Sequence, residues 1–259
     1  MNCKKTFKAF FLLIFNFSII YGTPSSIFWT NCTTDVYPTG IGHIDEDNYF
    51  TIFNRRGNGS AFPPDTGFEL GIFSWGDLSA EAGVDYLGGT NDPLFFNVGI
   101  SISENKLFSN APSFKVGFFN AGTRYHGLGR TNQNIVDFIA GKTLPEWIGG
   151  RLFVGGFTGS RAIGRDKKGF MIAYQRFFCP AKYCKETDYY KWAFLADYAS
   201  GNNTIGGGGF ALCYYFTPDV DIITGPVWFN SKEINGDWKW SVQIDISFSI
   251  FDKKDNKCI

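Results

Sequence analysis

The chain has 259 residues, with 24 Lys and Arg balanced by 24 Asp and Glu, so it carries no basic footprint for nucleic acid. Twenty-nine Phe, twelve Tyr, seven Trp and thirty-one Gly make it rich in aromatics and glycine. After the first twenty-two residues no apolar run is long enough for a membrane helix.

Residues 1–22 read as an export signal: Lys4, Lys5 and Lys8 precede the apolar run Ala9–Ile20, and Gly22 is a small residue near its end. An uncleaved anchor helix is the alternative, although Asn16 and Ser18 interrupt the run. Residues 23–46, punctuated by Pro24, Pro38, Gly40 and Gly42, hold no sustained period and are expected as a periplasmic lead-in.

From residue 47 to 250 the chain reads as short two-faced strands. Ala80, Ala82 and Val84 alternate with Ser79, Glu81 and Asp85. Phe96, Val98, Ile100 and Ile102 alternate with Asn97, Gly99, Ser101 and Ser103. The same period continues at 113–118, 190–198 and 210–216, and more weakly near 48–54, 67–75, 132–141, 148–158, 168–177 and 219–229. Residues 134–140 read equally as one or two turns of helix. The clearest case is the last: Trp238, Trp240, Val242, Ile244, Ile246 and Phe248 alternate with Lys239, Ser241, Gln243, Asp245 and Ser247. Only a strand with one face in an apolar medium and one in a polar medium uses such a period. Residues 251–259 form a charged tail.

The fold expected is all-β: a closed antiparallel transmembrane β-barrel of about 12 strands. An even count suits such barrels, and closure removes the sheet edges that so many apolar strands would otherwise expose. Residues 76–77 and 217–218 make short turns on one rim, while 55–66, 123–131, 159–167, 200–207 and 231–236 are longer and polar. Trp147, Tyr190, Trp192, Trp228, Trp238 and Trp240 fall near strand ends, where interfacial aromatics sit.

Several blocks carry a resemblance: Asn91–Asn97, Thr131–Val136 with Gly141–Pro145, Ala196–Gly209, Gly225–Asn230 and Ile234–Trp240. With them the chain resembles a group of bacterial outer-membrane β-barrel proteins of uncharacterised function. The resemblance implies fold and location only. Such barrels usually end at the aromatic that closes the last strand, whereas here Phe248 is followed by residues 249–259.

No catalytic set emerges, and no enzyme is expected. His126 has no Ser, Asp or Glu within several positions, and His43 lies near Asp45 and Asp47; both are expected as surface histidines without chemical role. Gly141-Lys142-Thr143 lacks the leading glycine of a phosphate loop, where Val136 stands, and Gly206–Gly209 reads as a flexible rim loop. No Cys/His set has zinc spacing, so no metal and no cofactor is expected. In an oxidising compartment, Cys179 with Cys184 could close a small loop and Cys32 with Cys258 could tie the termini, leaving Cys213 unpaired.

The residues expected to line the lumen are Glu69, Glu81, Asp85, Asn97, Lys115, Arg151, Lys191, Asp197, Asp219, Asp221, Lys239, Gln243 and Asp245. A water-filled ring of this mixed charge favours cations weakly. The functional expectation is therefore an outer-membrane diffusion channel or small-solute transporter, bathed in outer-membrane lipid and passing small polar solutes. Two alternatives stay open: a structural or adhesive barrel without transport, and a soluble secreted β-rich protein that binds carbohydrate.

Overall fold

A computed structural model describes residues 26–52, 62–89, 91–127, 129–183 and 187–251. Twelve strands follow one another in it: β1 (Ile41–Phe50), β2 (Asp65–Trp75), β3 (Leu78–Leu87), β4 (Leu94–Ile102), β5 (Ser113–Gly122), β6 (Asn132–Thr143), β7 (Arg151–Thr158), β8 (Lys168–Tyr183), β9 (Thr187–Ala199), β10 (Gly207–Thr217), β11 (Val220–Phe229) and β12 (Lys239–Ser249). Each pairs antiparallel with its neighbours in sequence, and β1 pairs with β12 from Ile41↔Ser249 to Phe50↔Trp240, which shuts the ring. The expected closed twelve-stranded barrel is what the chain forms.

The alternation explains the two faces. Outward positions of β4 (Phe96, Val98, Ile100), β6 (Val136, Phe138) and β12 (Ile244, Ile246, Phe248) are exposed, Phe96 by 48% and Ile244 by 46%. Large apolar side chains stand exposed around the whole circumference, which water would penalise and lipid would not. That belt overturns the soluble carbohydrate-binding alternative. Trp75 and Trp147 project from the rim of short turns, while Trp228 and Trp240 lie towards the opposite rim, as two interfacial girdles require.

Several boundaries differ from expectation. Strand β1 begins at Ile41, inside the stretch 23–46 expected as a lead-in. Its outward Glu46 and Asn48 are polar like its inward Asp45 and Asp47, so the period that marks other strands is absent there. Strand β6 holds 134–140, the segment that also read as helix. Its inward Ile135 and Ile139 are as apolar as its outward Val136 and Phe138, which blurs a two-residue period. The β8–β9 hairpin runs past its neighbours, since residues 176–183 pair only with β9. The expected signal (1–22), the charged tail beyond Phe251, Cys184 and Cys258 lie outside the described residues.

Candidate functional site: a filled lumen with an acidic vestibule

The lumen is not the continuous wet ring expected. Residues 26–38 lie inside it, not in the periplasm: Ile27, Phe28, Thr30, Cys32, Thr33, Thr34, Val36 and Tyr37 are all buried. The chain descends from the loop rim, where the Trp29 indole donates to the Ile205 carbonyl at 2.9 Å. It reaches the turn rim at residues 38–40 and reverses into β1, with Ile41 N–H donating to the Pro38 carbonyl at 3.0 Å.

Inward side chains of the wall hold this plug. Asp197 Oδ2 on β9 accepts backbone N–H groups from Phe28 (3.1 Å), Trp29 (2.8 Å) and Thr30 (2.7 Å), and the Thr30 hydroxyl at 3.1 Å. Gln243 on β12 donates to the Phe28 carbonyl at 3.0 Å and to the Tyr49 hydroxyl at 3.0 Å. Lys115 on β5 donates to the Asn31 carbonyl at 3.2 Å, and Arg151 on β7 donates to Asp35 at 2.7 Å. Glu81 on β3 accepts the Tyr37 N–H at 2.8 Å. These polar wall positions follow from the inward alternation; what they face is a peptide rather than open water. Gly209 on β10, in the block expected as a flexible rim loop, is instead a seat. A Cβ there would collide with the Pro226 carbonyl oxygen on β11 and come within 2.9 Å of the Phe28 ring.

The two halves of the lumen differ in character. Along β6–β11 the inward residues Ile135, Ile139, Phe153, Met171, Leu195 and Val227 form one buried cluster with Ile27 and Phe28. Loops of the rim above them interlock through buried asparagines: Asn203 donates to the Asp166 carbonyl at 2.9 Å and Asn235 to the Thr204 carbonyl at 3.0 Å. This half is dry and covered.

Along β1–β4 and β12 a cavity of about 350 Å³ remains, opening among the loop-rim residues Phe62, Pro63, Thr204 and Asn235. Its wall carries Asp45, Asp47, Asp65, Glu69, Asp85 and Asp245, with His43, Asn97 and Gln243. Among the described residues no Lys or Arg lines it.

Of the residues expected in the lumen, Glu69, Asp85, Asn97, Gln243 and Asp245 thus line this vestibule. Glu81 and Lys115 border a smaller pocket beside it. Arg151 and Asp197 anchor the plug. Asp221 is buried, accepting from the Cys213 thiol at 3.2 Å, and Lys239 is buried with its ammonium on the Asp237 carbonyl at 3.0 Å. Two expectations fail. Asp219 lies exposed in the two-residue β10–β11 turn, one position before the strand begins. Lys191 is exposed in the overhanging β8–β9 hairpin, opposite Cys179, which adopts φ 59° and leaves a gap in the ladder without shifting its register.

The expected bridge from Cys32 to the terminal tail also fails on position, because Cys32 is a fully buried thiol in the plug rather than a periplasmic one. Cys179 is an exposed free thiol and Cys213 a buried one.

His43 departs most from expectation. It is 1% exposed, stacked on Tyr37 with ring centroids 5.0 Å apart, and so is no surface histidine. Its Nδ1 lies 3.3 Å from Ser247 Oγ and its Nε2 3.4 Å from Asp245 Oδ1, a Ser–His–Asp order. Catalysis needs the hydroxyl where a substrate can reach it. Ser247 does not line the vestibule and Tyr37 covers the imidazole, so the trio works as packing within the wall. His126, in contrast, is exposed in the β5–β6 loop as expected.

A shut ring of strands, a lipid-facing belt and polar groups turned inward define a transmembrane β-barrel of the outer-membrane type. Among solved structures the chain is similar to KdgM porin, at 10% identity and a TM-score of 0.46, covering 81% of this chain and 99% of that one. It is similar to an outer-membrane channel from Pseudomonas putida F1 at 14% identity and a TM-score of 0.45, covering 83% and 98%. For NanC porin the values are 10%, 0.43, 80% and 100%. No family model and no curated relative matches the chain.

Proposed function

We propose that the protein is an outer-membrane channel held shut by its own segment 26–38, with a vestibule that prefers cations. The observation that carries this is how the plug is attached. Among the described residues it contributes no strand to the ring, and the one isolated backbone bridge beside it is Thr39↔Gly71, just past its end. Side chains hold it elsewhere, through bonds that water can replace, so it can leave without breaking a ladder. The acid-lined vestibule above would concentrate cations at the entrance.

A second reading, a structural barrel without transport, is favoured by the packing of Ile27 and Phe28 into the dry half. Planar-bilayer recording separates the two. The wild type should be silent or open rarely, and a variant lacking residues 26–37 should conduct steadily with a preference for K⁺ over Cl⁻. A plugless barrel that still migrates as a folded species in unheated gels, yet passes no current, ends the channel reading.

A further inference from the structure

We propose that the loop rim over β6–β8 is a seat for a phosphate-bearing lipid, its anionic head on the β7–β8 loop and one acyl chain in a slot of the lipid-facing wall below. Such a seat lies on the outside of the barrel and does not depend on conduction.

The head meets unpaired positive charge. Arg161, Arg165 and Lys167 in the β7–β8 loop and Lys168 at the start of β8 are all exposed. The one acid among them, Asp166, is engaged sideways, its carboxylate accepting the Asn202 N–H of the next loop at 2.8 Å. Two other cations of this rim have acids beside them, Arg124 with Asp92 at 3.5 Å and Lys232 with Asp237 at 2.7 Å. Among the described residues none of the four forms an ion pair. Guanidinium forks match phosphate oxygens in pairs, and basic clusters at a membrane surface draw anionic lipid.

The loop that carries these charges is set in shape beforehand. Ile163 is fully buried, and its carbonyl accepts the Thr204 N–H at 2.7 Å. The Ser160 hydroxyl donates to the Asn132 carbonyl at 2.6 Å and accepts the Ala162 N–H at 2.9 Å. A loop fixed in this way loses little further freedom when a ligand binds.

The second observation is apolar and independent of charge. The register places Phe138, Gly156 and Phe170 in one outward row across β6, β7 and β8, with Thr158 and Lys168 in the row nearer the rim. Both rings stand well clear of the wall, Phe138 exposed by 54% and Phe170 by 57%. Between them no side chain fills the gap: beyond its chain neighbours, a Cβ on Gly156 would meet only the Gly169 carbonyl oxygen, at 3.3 Å. Strands two apart lie roughly 9.6 Å from one another, so the slot has a backbone floor and two aromatic sides. Lys168 sits two residues rimward of Phe170 on the same face of β8, roughly 6.7 Å away along the strand. Charge directly above an apolar slot is the order of head and chain in a lipid; a soluble anion would leave the slot unused.

Native mass spectrometry of the full-length protein, released from neutral detergent, tests the seat. Diphosphorylated lipid A is the probe, with neutral digalactosyl diacylglycerol and inorganic pyrophosphate as comparisons. One lipid A should bind saturably and at least tenfold more tightly than either comparison. The Arg161→Gln/Arg165→Gln/Lys168→Gln variant should bind it at least tenfold more weakly, and Gly156→Leu, which fills the slot, at least threefold more weakly. Absence of saturable binding to the folded wild type overturns the proposal, as does either variant binding like wild type. Galactolipid binding as tightly as lipid A would mean general lipid adhesion, and pyrophosphate binding as tightly a site for soluble anions; each also overturns it. Should a variant lose its folded mobility in unheated gels, the wild-type comparison of lipid A with the galactolipid decides alone.

Discussion

Replacing Asp197 by alanine should unlatch the plug. One carboxylate oxygen there accepts three consecutive backbone N–H groups and a hydroxyl, all buried except the half-buried Trp29 N–H. A buried donor left without its acceptor costs roughly 1–3 kcal/mol. The vacated side-chain volume admits water, which recovers part of that, so the low end for each N–H gives about 3 kcal/mol in total. At 1.4 kcal/mol per decade this raises the population of the released plug about a hundredfold. Cys32 reports it directly, being fully buried in the seated plug. With the other cysteines changed to serine, the labelling rate by a small methanethiosulfonate reagent follows the open population when reclosing is fast. The Asp197→Ala protein should label about a hundredfold faster than its parent while keeping its folded gel mobility. Equal labelling rates would show that the plug does not depend on this latch, and the reasoning from wall to plug would fall with it.

The lipid-facing belt makes a second prediction. Val98 lies mid-β4, between Ala82 and Phe118 on the neighbouring strands, and is 39% exposed. Val98→Lys should destabilise the barrel in bilayers by about 2–4 kcal/mol, whereas Trp147→Lys in a rim turn should cost roughly 0–1 kcal/mol; equilibrium unfolding in liposomes measures both, and equal costs would contradict a membrane-spanning β4. A third concerns pH. Burial alone would raise the pKa of Glu104 in the β4–β5 turn, but Lys142 at 2.7 Å and the Thr143 hydroxyl and N–H at 2.7 and 3.0 Å outweigh it and hold it below the usual glutamate range. A depressed pKa stabilises above the ordinary value of about 4.3, and the gain is lost as pH falls through the lowered value. Glu104→Gln should therefore cost at most about 1 kcal/mol near neutrality, and next to nothing in strong acid, by thermal unfolding at the two pH values.

The ring was legible because lipid imposes one chemistry on one face. Wherever the inner face was polar, as from Lys239 to Asp245, the two-residue period stood out and the strand was placed within about two residues. Legibility failed for two opposite reasons. In β1 the outward Glu46 and Asn48 match the inward acids in polarity, so the strand's first half passed for irregular chain and Asp45, Asp47 and His43 were left out of the lumen. In β6 and β7 the inward Ile135, Ile139, Phe153 and Phe157 match the outward residues in grease, because they pack a dry half-core. The plug itself has no period at all, since no ladder holds it. Its sequence signal was indirect: glycines at the inward positions 71 and 141, in a wall where side chains would ordinarily stand, mark places where Pro38 and Thr34 come close.

Gln243 belongs to β12, the strand that pairs with β1, and it grips both Phe28 and Tyr49. A nascent chain offers residues 26–38 first and their last clasp some two hundred residues later. Biogenesis must therefore keep this leading peptide on the inside of a curling, still open sheet until its two ends zip together. Insertion machinery that lets it drift to the lipid side before the seam joins would yield an empty cylinder, so seating the stopper and sealing the wall become a single event.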